Sequence, residues 1–140
     1  AALHVTGDTF FGGNVREKVT ISATASTGTI NFDAITQAVL YFTTNASGNF
    51  TINVRGDGST TLNSIMATGD ALTIAFLSTQ GSSAYYMSAF TVDGSSVTPK
   101  YQGGSAFSAG NASGIDSYAI TVIKTGDAAF TALAAQTQFG

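Results

Sequence analysis

The chain of 140 residues contains no cysteine, one histidine and one glutamate. Without cysteine, disulfide bonds and thiolate chemistry are excluded. A metal site or a Ser-His-Asp triad built on His4 would need partners from remote segments, and no nucleophile motif accompanies it. A glycosidase needs two carboxylates that face one cleft, and Glu17 is the only glutamate. The sequence therefore predicts a protein that is not an enzyme and that needs no metal or cofactor.

Charge is also scarce. Charged residues make up 9% of the chain, against roughly 25% in ordinary globular proteins. Serine, threonine, asparagine, glutamine and glycine replace them, which is typical of extracellular and virion β proteins. The net charge of −3 gives no electrostatic reason to expect nucleic acid as a partner. No apolar run approaches the ~18 residues of a membrane-spanning helix, so no membrane insertion is expected.

Most of the acidic residues lie beside a glycine, in pairs that are typical of turns. These acids are Asp8, Asp57, Asp70, Asp93 and Asp127. Short segments rich in threonine, valine, isoleucine, phenylalanine and tyrosine run between the turns, which predicts an all-β fold. The acids have no calcium-loop spacing, so we interpret them as turn residues that do not form a reacting centre.

The clearest strand covers residues 49–55, in which Phe50, Ile52 and Val54 alternate with polar residues and should face the core. The preceding segment 45–48 is expected to form a hairpin loop. About ten such segments predict an antiparallel β-sandwich of the jelly-roll-like kind. We find no internal repeat. The prediction is one sandwich domain over residues 16–140, preceded by a short N-terminal extension over residues 1–15.

Three of the predicted strands are apolar on both faces, at residues 38–42, 71–77 and 118–123. A sandwich in water should have polar outer faces, so a loop of the same chain or another subunit should cover these strands. The favoured assembly is a closed homo-oligomer, preferably a trimer. The expected interface residues are Leu3, Val5, Phe10, Phe11, Val39, Tyr41, Leu77 and Ile123.

The longest predicted loop covers residues 102–115 and contains four glycines. Loops on rigid β scaffolds commonly carry recognition, and aromatic rings with amide side chains suit neutral glycans. Packing in a core or an interface is the alternative role for these rings. The candidate binding residues are Tyr85, Tyr86, Tyr101, Gln102, Phe107 and Asn111.

Several segments together form a recognisable pattern: residues 12–19, 32–54, 93–100, 123–125 and 136–139. With them, nearly the whole chain resembles a module found in structural proteins of marine tailed bacteriophages, such as those that infect cyanobacteria. There the module often ends long fibre-like chains. The opening segment 5–14 is similar to the last turn of the glycine-punctuated repeats that precede the module.

The resemblance implies a trimeric component of the virion, an extracellular particle, and it brings no catalytic residues. The expected function is a structural domain of a tail fibre or another external appendage, with other virion proteins and a host-surface glycan as partners. One alternative is a carbohydrate-binding module of a secreted protein. A second alternative is a capsid decoration or cement protein without a receptor.

Overall fold

The computed structural model describes residues 3–140, which form two β-sheets that enclose one hydrophobic core. The strands are β1 (Val19–Ala25), β2 (Gly28–Asp33), β3 (Val39–Thr44), β4 (Phe50–Arg55), β5 (Ala71–Thr79), β6 (Met87–Val92), β7 (Ser95–Ser96), β8 (Lys100–Tyr101), β9 (Ile115–Gly126) and β10 (Ala129–Phe139). A single helical turn, α1 (Leu62–Ile65), lies between β4 and β5. The all-β prediction is therefore confirmed.

The first six strands alternate between the two sheets, so that the chain winds in coils around the core. Strands β1, β3 and β5 lie side by side in parallel in one sheet. Strands β2, β4 and β6 do the same in the other sheet. The six-stranded sheet has the order β1-β3-β5-β9-β10-β8, and the four-stranded sheet has the order β2-β4-β6-β7. Antiparallel pairing is confined to β5 with β9, β9 with β10, and β6 with β7.

Two topological expectations are corrected by this winding. The jelly-roll-like antiparallel arrangement is not confirmed, because parallel pairs dominate the coiled part of the chain. The segment 45–48 is not a hairpin loop, because it connects β3 to β4 in the opposite sheet. Its backbone is held instead by neighbouring coils: the Ala46 amide donates to the Thr79 carbonyl, and the Ser47 amide donates to the Ser26 carbonyl.

The winding also reveals a short repeat that the sequence analysis missed. The triplet Thr-Ile-Asn at residues 29–31 pairs in register with the same triplet at residues 51–53. In both copies the isoleucine is buried between the sheets, and Asn31 and Asn53 project from the opposite face. The two copies begin 22 residues apart, at Thr29 and Thr51, which is the length of the first coil in this sheet.

The core lies between the two sheets and contains a cluster of aromatic rings. Phe50, Ile52 and Val54 are buried as the alternation predicted, each at 1% exposure or less. The Phe50 ring makes edge-on contacts with Phe76 and Tyr118, with centroids 5.5 Å apart in both pairs. These contacts join β4 of one sheet to β5 and β9 of the other.

The helical turn α1 is fixed by polar contacts at both ends. The two carboxylate oxygens of Asp93 accept hydrogen bonds from the amides of Leu62 and Asn63 at 2.6 and 2.9 Å. The buried Lys124 ammonium donates to the carbonyls of Asn63 and Met66 at 2.7 and 2.8 Å. The helical turn is thus anchored to β9 through Lys124.

Residues 3–15, called the arm below, precede β1 without forming a strand or a helix. Every residue of the arm is exposed. Within residues 3–140, no helix has the length and apolar character needed to cross a membrane.

Candidate functional site

The outward-facing side of the six-stranded sheet, called the outer face below, is nearly uncharged and is apolar along one row that crosses five strands. One row of directly paired residues consists of Val19, Val39, Ala75, Ala119 and Ala135. The neighbouring row consists of Ile21, Tyr41, Leu77, Ser117 and Thr137. Threonines 73 and 121 and Leu133 continue the face on the other side of the alanine row. The sequence analysis identified three apolar strands, and the structure places them side by side.

The outer face carries one charged side chain. Of the residues in its six strands, Asp116 and Lys124 point into the core and are buried, whereas Lys100 of β8 is exposed beside Leu133. A trough of about 400 Å³ crosses this end of the face. Its outward-facing lining consists of Lys100, Ala119, Thr121, Leu133 and Ala135. The trough exists because small alanines lie between larger neighbours.

The opposite side of the molecule has the reverse character. On the four-stranded sheet, the Asn53 amide donates to Asn31 at 2.9 Å, and the Asn53 oxygen accepts from the Thr91 hydroxyl at 2.7 Å. Next to this row, Arg55 forms an ion pair with Asp33 at 2.6 Å. This hydrogen bond to Asp33 raises the pKa of Arg55. The two outer surfaces of the sandwich therefore differ: one carries a polar network and an ion pair, and the other is nearly uncharged.

The residues expected at a subunit interface fall into two groups. Val39, Tyr41, Leu77 and Ile123 are half-buried on the outer face. The others belong to the arm and are strongly exposed, with exposed fractions of 88% for Leu3, 48% for Val5, 92% for Phe10 and 63% for Phe11. The structure thus brings the first group together on one surface and leaves the second group without cover from its own domain.

The residues expected at a binding site are partly used for packing. The Tyr101 and Phe107 rings meet edge-on with centroids 5.0 Å apart, and Phe107 contacts the Tyr118 ring at 5.5 Å. Both rings therefore pack onto the core and offer little open surface to a sugar. Tyr85 and Tyr86 are half-buried, and Gln102 is exposed in a 3₁₀ turn over residues 102–104.

The longest loop is confirmed between residues 105 and 114, and a buried carboxylate holds its end. Asp116 is fully buried, and its Oδ2 atom accepts hydrogen bonds from Gln80 Nε2 and from the Asn111 amide, both at 3.0 Å. Its Oδ1 atom has no hydrogen-bond partner in the described part of the chain. A side chain at Gly110 would collide with the Tyr85 carbonyl, so the loop backbone packs directly against the backbone at Tyr85.

The sequence alone gave no role to Asp116. Its signal was nevertheless present, because Asp116 and Asp33 are the two aspartates without a neighbouring glycine. The structure gives both of them side-chain partners from other strands, at Gln80 and Arg55. An aspartate away from turn glycines was therefore the better candidate for a buried contact.

The Tyr118 hydroxyl lies in the same buried polar region. It accepts hydrogen bonds from Gln136 Nε2 at 2.8 Å and from the Met87 amide at 3.3 Å. Burial raises the pKa of Tyr118 to about 12, because the phenolate would lose its hydration, and the two donors only partly offset this effect. The group is therefore a structural hydroxyl at neutral pH.

Three of the five turn acids accept hydrogen bonds from backbone amides, and Asp127 accepts one from the Asn63 side chain. Asp57 Oδ1 accepts from the Ser59 amide at 2.8 Å, which lowers the pKa of Asp57. Asp70 Oδ2 accepts from the Ala67 amide at 2.8 Å. Asp93 and Gly94 have φ angles of 50° and 81°, as the tight turn from β6 to β7 requires. No group of three or more metal-ligating side chains occurs within residues 3–140.

Comparison with protein-family models, with curated proteins and with solved structures finds no match to this chain. The resemblance to bacteriophage structural modules therefore rests on the sequence segments alone. The surfaces described above carry the functional argument.

Proposed function

We propose that this chain is a non-enzymatic structural domain of a bacteriophage virion, in a tail fibre or another external appendage. In this proposal it assembles as a closed homo-oligomer, preferably a trimer, and it contacts other virion proteins. The observation that carries the proposal is the outer face of the six-stranded sheet, which has an apolar row across five strands and, among the residues of its strands, Lys100 as its one charge.

An exposed apolar face of this width is costly in water and invites aggregation unless another surface covers it. The face is six strands wide, and β5, β9 and β10 make it long, with 9, 12 and 11 residues. Charged residues, the usual device against unwanted association, make up only 9% of the chain. Contact between copies would account for both the uncovered outer face and the low charge content. Symmetry mates would cover one another's outer faces and leave the polar sheets in solvent.

Recognition of a host-surface glycan is the second part of the proposal, and we place it on the loop 105–114. Phe107 and the contact between Asn111 and Asp116 fix the loop at two points, and most of its other residues are exposed. A fixed loop with an exposed tip loses little entropy on binding. A secreted carbohydrate-binding module has less support, because Tyr101 and Phe107 pack onto the core and form no open aromatic platform.

Labelling of intact particles tests the proposed location. Antibodies raised against the folded domain should bind purified virions that encode it, and electron microscopy should show the label on the tail or its fibres. Label on the capsid surface would favour a decoration protein instead. Virions that contain no copy of the chain by mass spectrometry would contradict the proposal.

Assembly is tested by sedimentation of the pure chain, whose mass is 14.2 kDa. We expect one species near three chain masses. Replacing Leu77 by lysine should weaken it, because the variant would bury a charge without a partner. Thr51→Lys, on the polar sheet, is the matched control and should leave the mass unchanged. A chain that stays monomeric at high concentration would contradict the homo-oligomer.

A further inference from the structure

We propose that the arm of one copy of this chain docks on the outer face of a second copy, with Phe10 in the trough and Asp8 beside Lys100. The inference rests on the proposed homo-oligomer and names the two surfaces that meet in it. Phe10 is 92% exposed and Leu3 is 88% exposed. Large apolar side chains at such exposure lack cover from their own domain, and the arm holds several of them in 13 residues.

The trough offers the complementary surface. It has a volume of about 400 Å³, which lies in the range of ~300–1,000 Å³ typical of binding pockets. Its floor contains Ala119 and Ala135, and Leu133 is 46% exposed at its side. An aromatic ring that enters the trough would replace water on three apolar side chains without displacing any protein group.

Charge gives the arm its direction on the face. Lys100 is the one charged side chain of the outer face and lines the trough. Asp8 is the one acidic residue of the arm, two positions before Phe10. In an extended segment, residues two apart point the same way and lie ~6.6 Å apart. In an extended arm with Phe10 in the trough, Asp8 therefore faces the same surface as Phe10 and lies within reach of the Lys100 side chain.

The dimensions also agree. Six strands spaced ~4.8 Å apart give the face a width of about 25 Å. The arm, if extended at ~3.3 Å per residue, would span about 40 Å and can cross that width. In this extended arm Phe10 faces the trough and would bury ~150–250 Å² there, whereas Phe11 points away from the face.

A second copy fits better than the arm's own domain. The arm leads into β1, at one edge of the six-stranded sheet, whereas the trough lies at the opposite edge, beside β8. The arm of the same chain would have to reverse over residues 16–18 and cross the whole sheet. The arm of a neighbouring copy meets no such constraint.

Cysteine cross-linking tests the contact, because the natural chain has no cysteine. Chains with Phe10→Cys are mixed with chains with Ala119→Cys and oxidised. We expect a disulfide-linked product of one chain of each kind. Thr29→Cys, exposed on the polar sheet, is the control partner and should give no product above background. A yield equal to that control, or a Phe10→Cys/Ala119→Cys variant that links only within one chain, would overturn the inference.

A charge exchange tests the predicted pairing independently. Sedimentation should show that Phe10→Asp weakens association roughly ten- to hundredfold, since burial of the ring is lost. Asp8→Lys and Lys100→Asp should each weaken it a few-fold, and the two together should restore it. Failure of the double variant to restore association would overturn the pairing. Label on the virion tail without the cross-link would leave the proposed function standing and would overturn the docked arm.

Discussion

The side-chain nitrogen of Asn53 lies 2.9 Å from the side-chain oxygen of Asn31, one coil earlier in the winding. The Asn53 oxygen accepts from the Thr91 hydroxyl and from the Gly94 amide. The buried side chain of Asn53, 8% exposed, thus joins β2, β4 and β6. Such a network is stabilising only when all its members are paired.

We expect Asn53→Ala to lower the free energy of unfolding by about 2–3 kcal/mol, because the Gly94 amide and the Thr91 hydroxyl lose their acceptor. Asn31→Ala should cost about 1 kcal/mol or less, because Asn31 is exposed and water can replace it. Urea unfolding followed by circular dichroism measures both. Equal costs for the two variants would contradict the assigned network.

Phe50→Ala should lower the free energy of unfolding by about 3–5 kcal/mol, because it opens a cavity between Phe76 and Tyr118. The adjacent Thr51 points away from the core, so Thr51→Ala is the matched control and should cost under about 1 kcal/mol. The same urea titrations give both values. A cost near zero for Phe50→Ala would place the ring outside the core.

Two substitutions of Asp116 separate the contribution of its hydrogen bonds to stability from that of its negative charge. Asp116→Asn keeps an acceptor for Gln80 and Asn111 and removes a buried charge, so its stability should stay within about 1 kcal/mol of the natural chain. Asp116→Ala leaves the Asn111 amide unpaired and should cost about 1–3 kcal/mol. Thermal unfolding and hydrogen exchange of the loop 105–114 should agree. If asparagine were as damaging as alanine, the negative charge itself would be required.

The raised pKa of Tyr118 predicts a loss of stability at high pH. An unfolded chain releases the phenolic proton near pH 10, whereas the folded chain holds it to about pH 12. The unfolded state is therefore favoured as pH rises from about 10 to 12, by roughly 2–3 kcal/mol in total. Below pH 10 this contribution is constant.

The control for this effect is Tyr118→Phe, studied by urea unfolding at several pH values. The variant should be less stable at pH 7, because the Met87 amide loses its acceptor. Between pH 10 and 12 it should lose less stability than the natural chain. Parallel curves for the two proteins would show that the hydroxyl does not titrate with folding.

We expect the pure domain to have no hydrolase activity. The chain has one histidine, one glutamate and no cysteine, and Asp33 is engaged with Arg55. Incubation with a panel of bacterial polysaccharides, followed by reducing-end assay, should show no turnover. Robust turnover that is lost in Glu17→Gln or Asp33→Asn would contradict this prediction.

The parts of the fold that depend on short-range pattern could be predicted from sequence. The period-2 alternation around Phe50 gave the correct buried face, and the glycine beside Asp93 marked a true turn. Parallel and antiparallel strands share the same alternation, so the pattern could not give the strand pairing. The Thr-Ile-Asn triplet at residues 29–31 and 51–53 was visible in the sequence, but its parallel pairing is known only from the structure.

The sequence could predict which residues belong to the candidate surfaces, but not how the strands that carry them are arranged. Alternation showed that Tyr41, Leu77 and Ile123 lie on apolar strand faces. Their presence on one sheet depends on which strands pair, which is a long-range property. The sequence suggested Tyr101 and Phe107 as binding residues, but it could not show that their rings pack against each other, with centroids 5.0 Å apart.

The coil winding makes the domain's length adjustable. Val19 pairs with Val39, and Gly28 pairs with Phe50. The first coil is therefore 20 residues long in the six-stranded sheet and 22 in the four-stranded sheet. A duplicated coil would add one strand to each sheet, about 4.8 Å of height, and would meet a neighbour of the same pattern. A protein of this kind can grow by whole coils during evolution or design, while its closing β9–β10 hairpin stays unchanged.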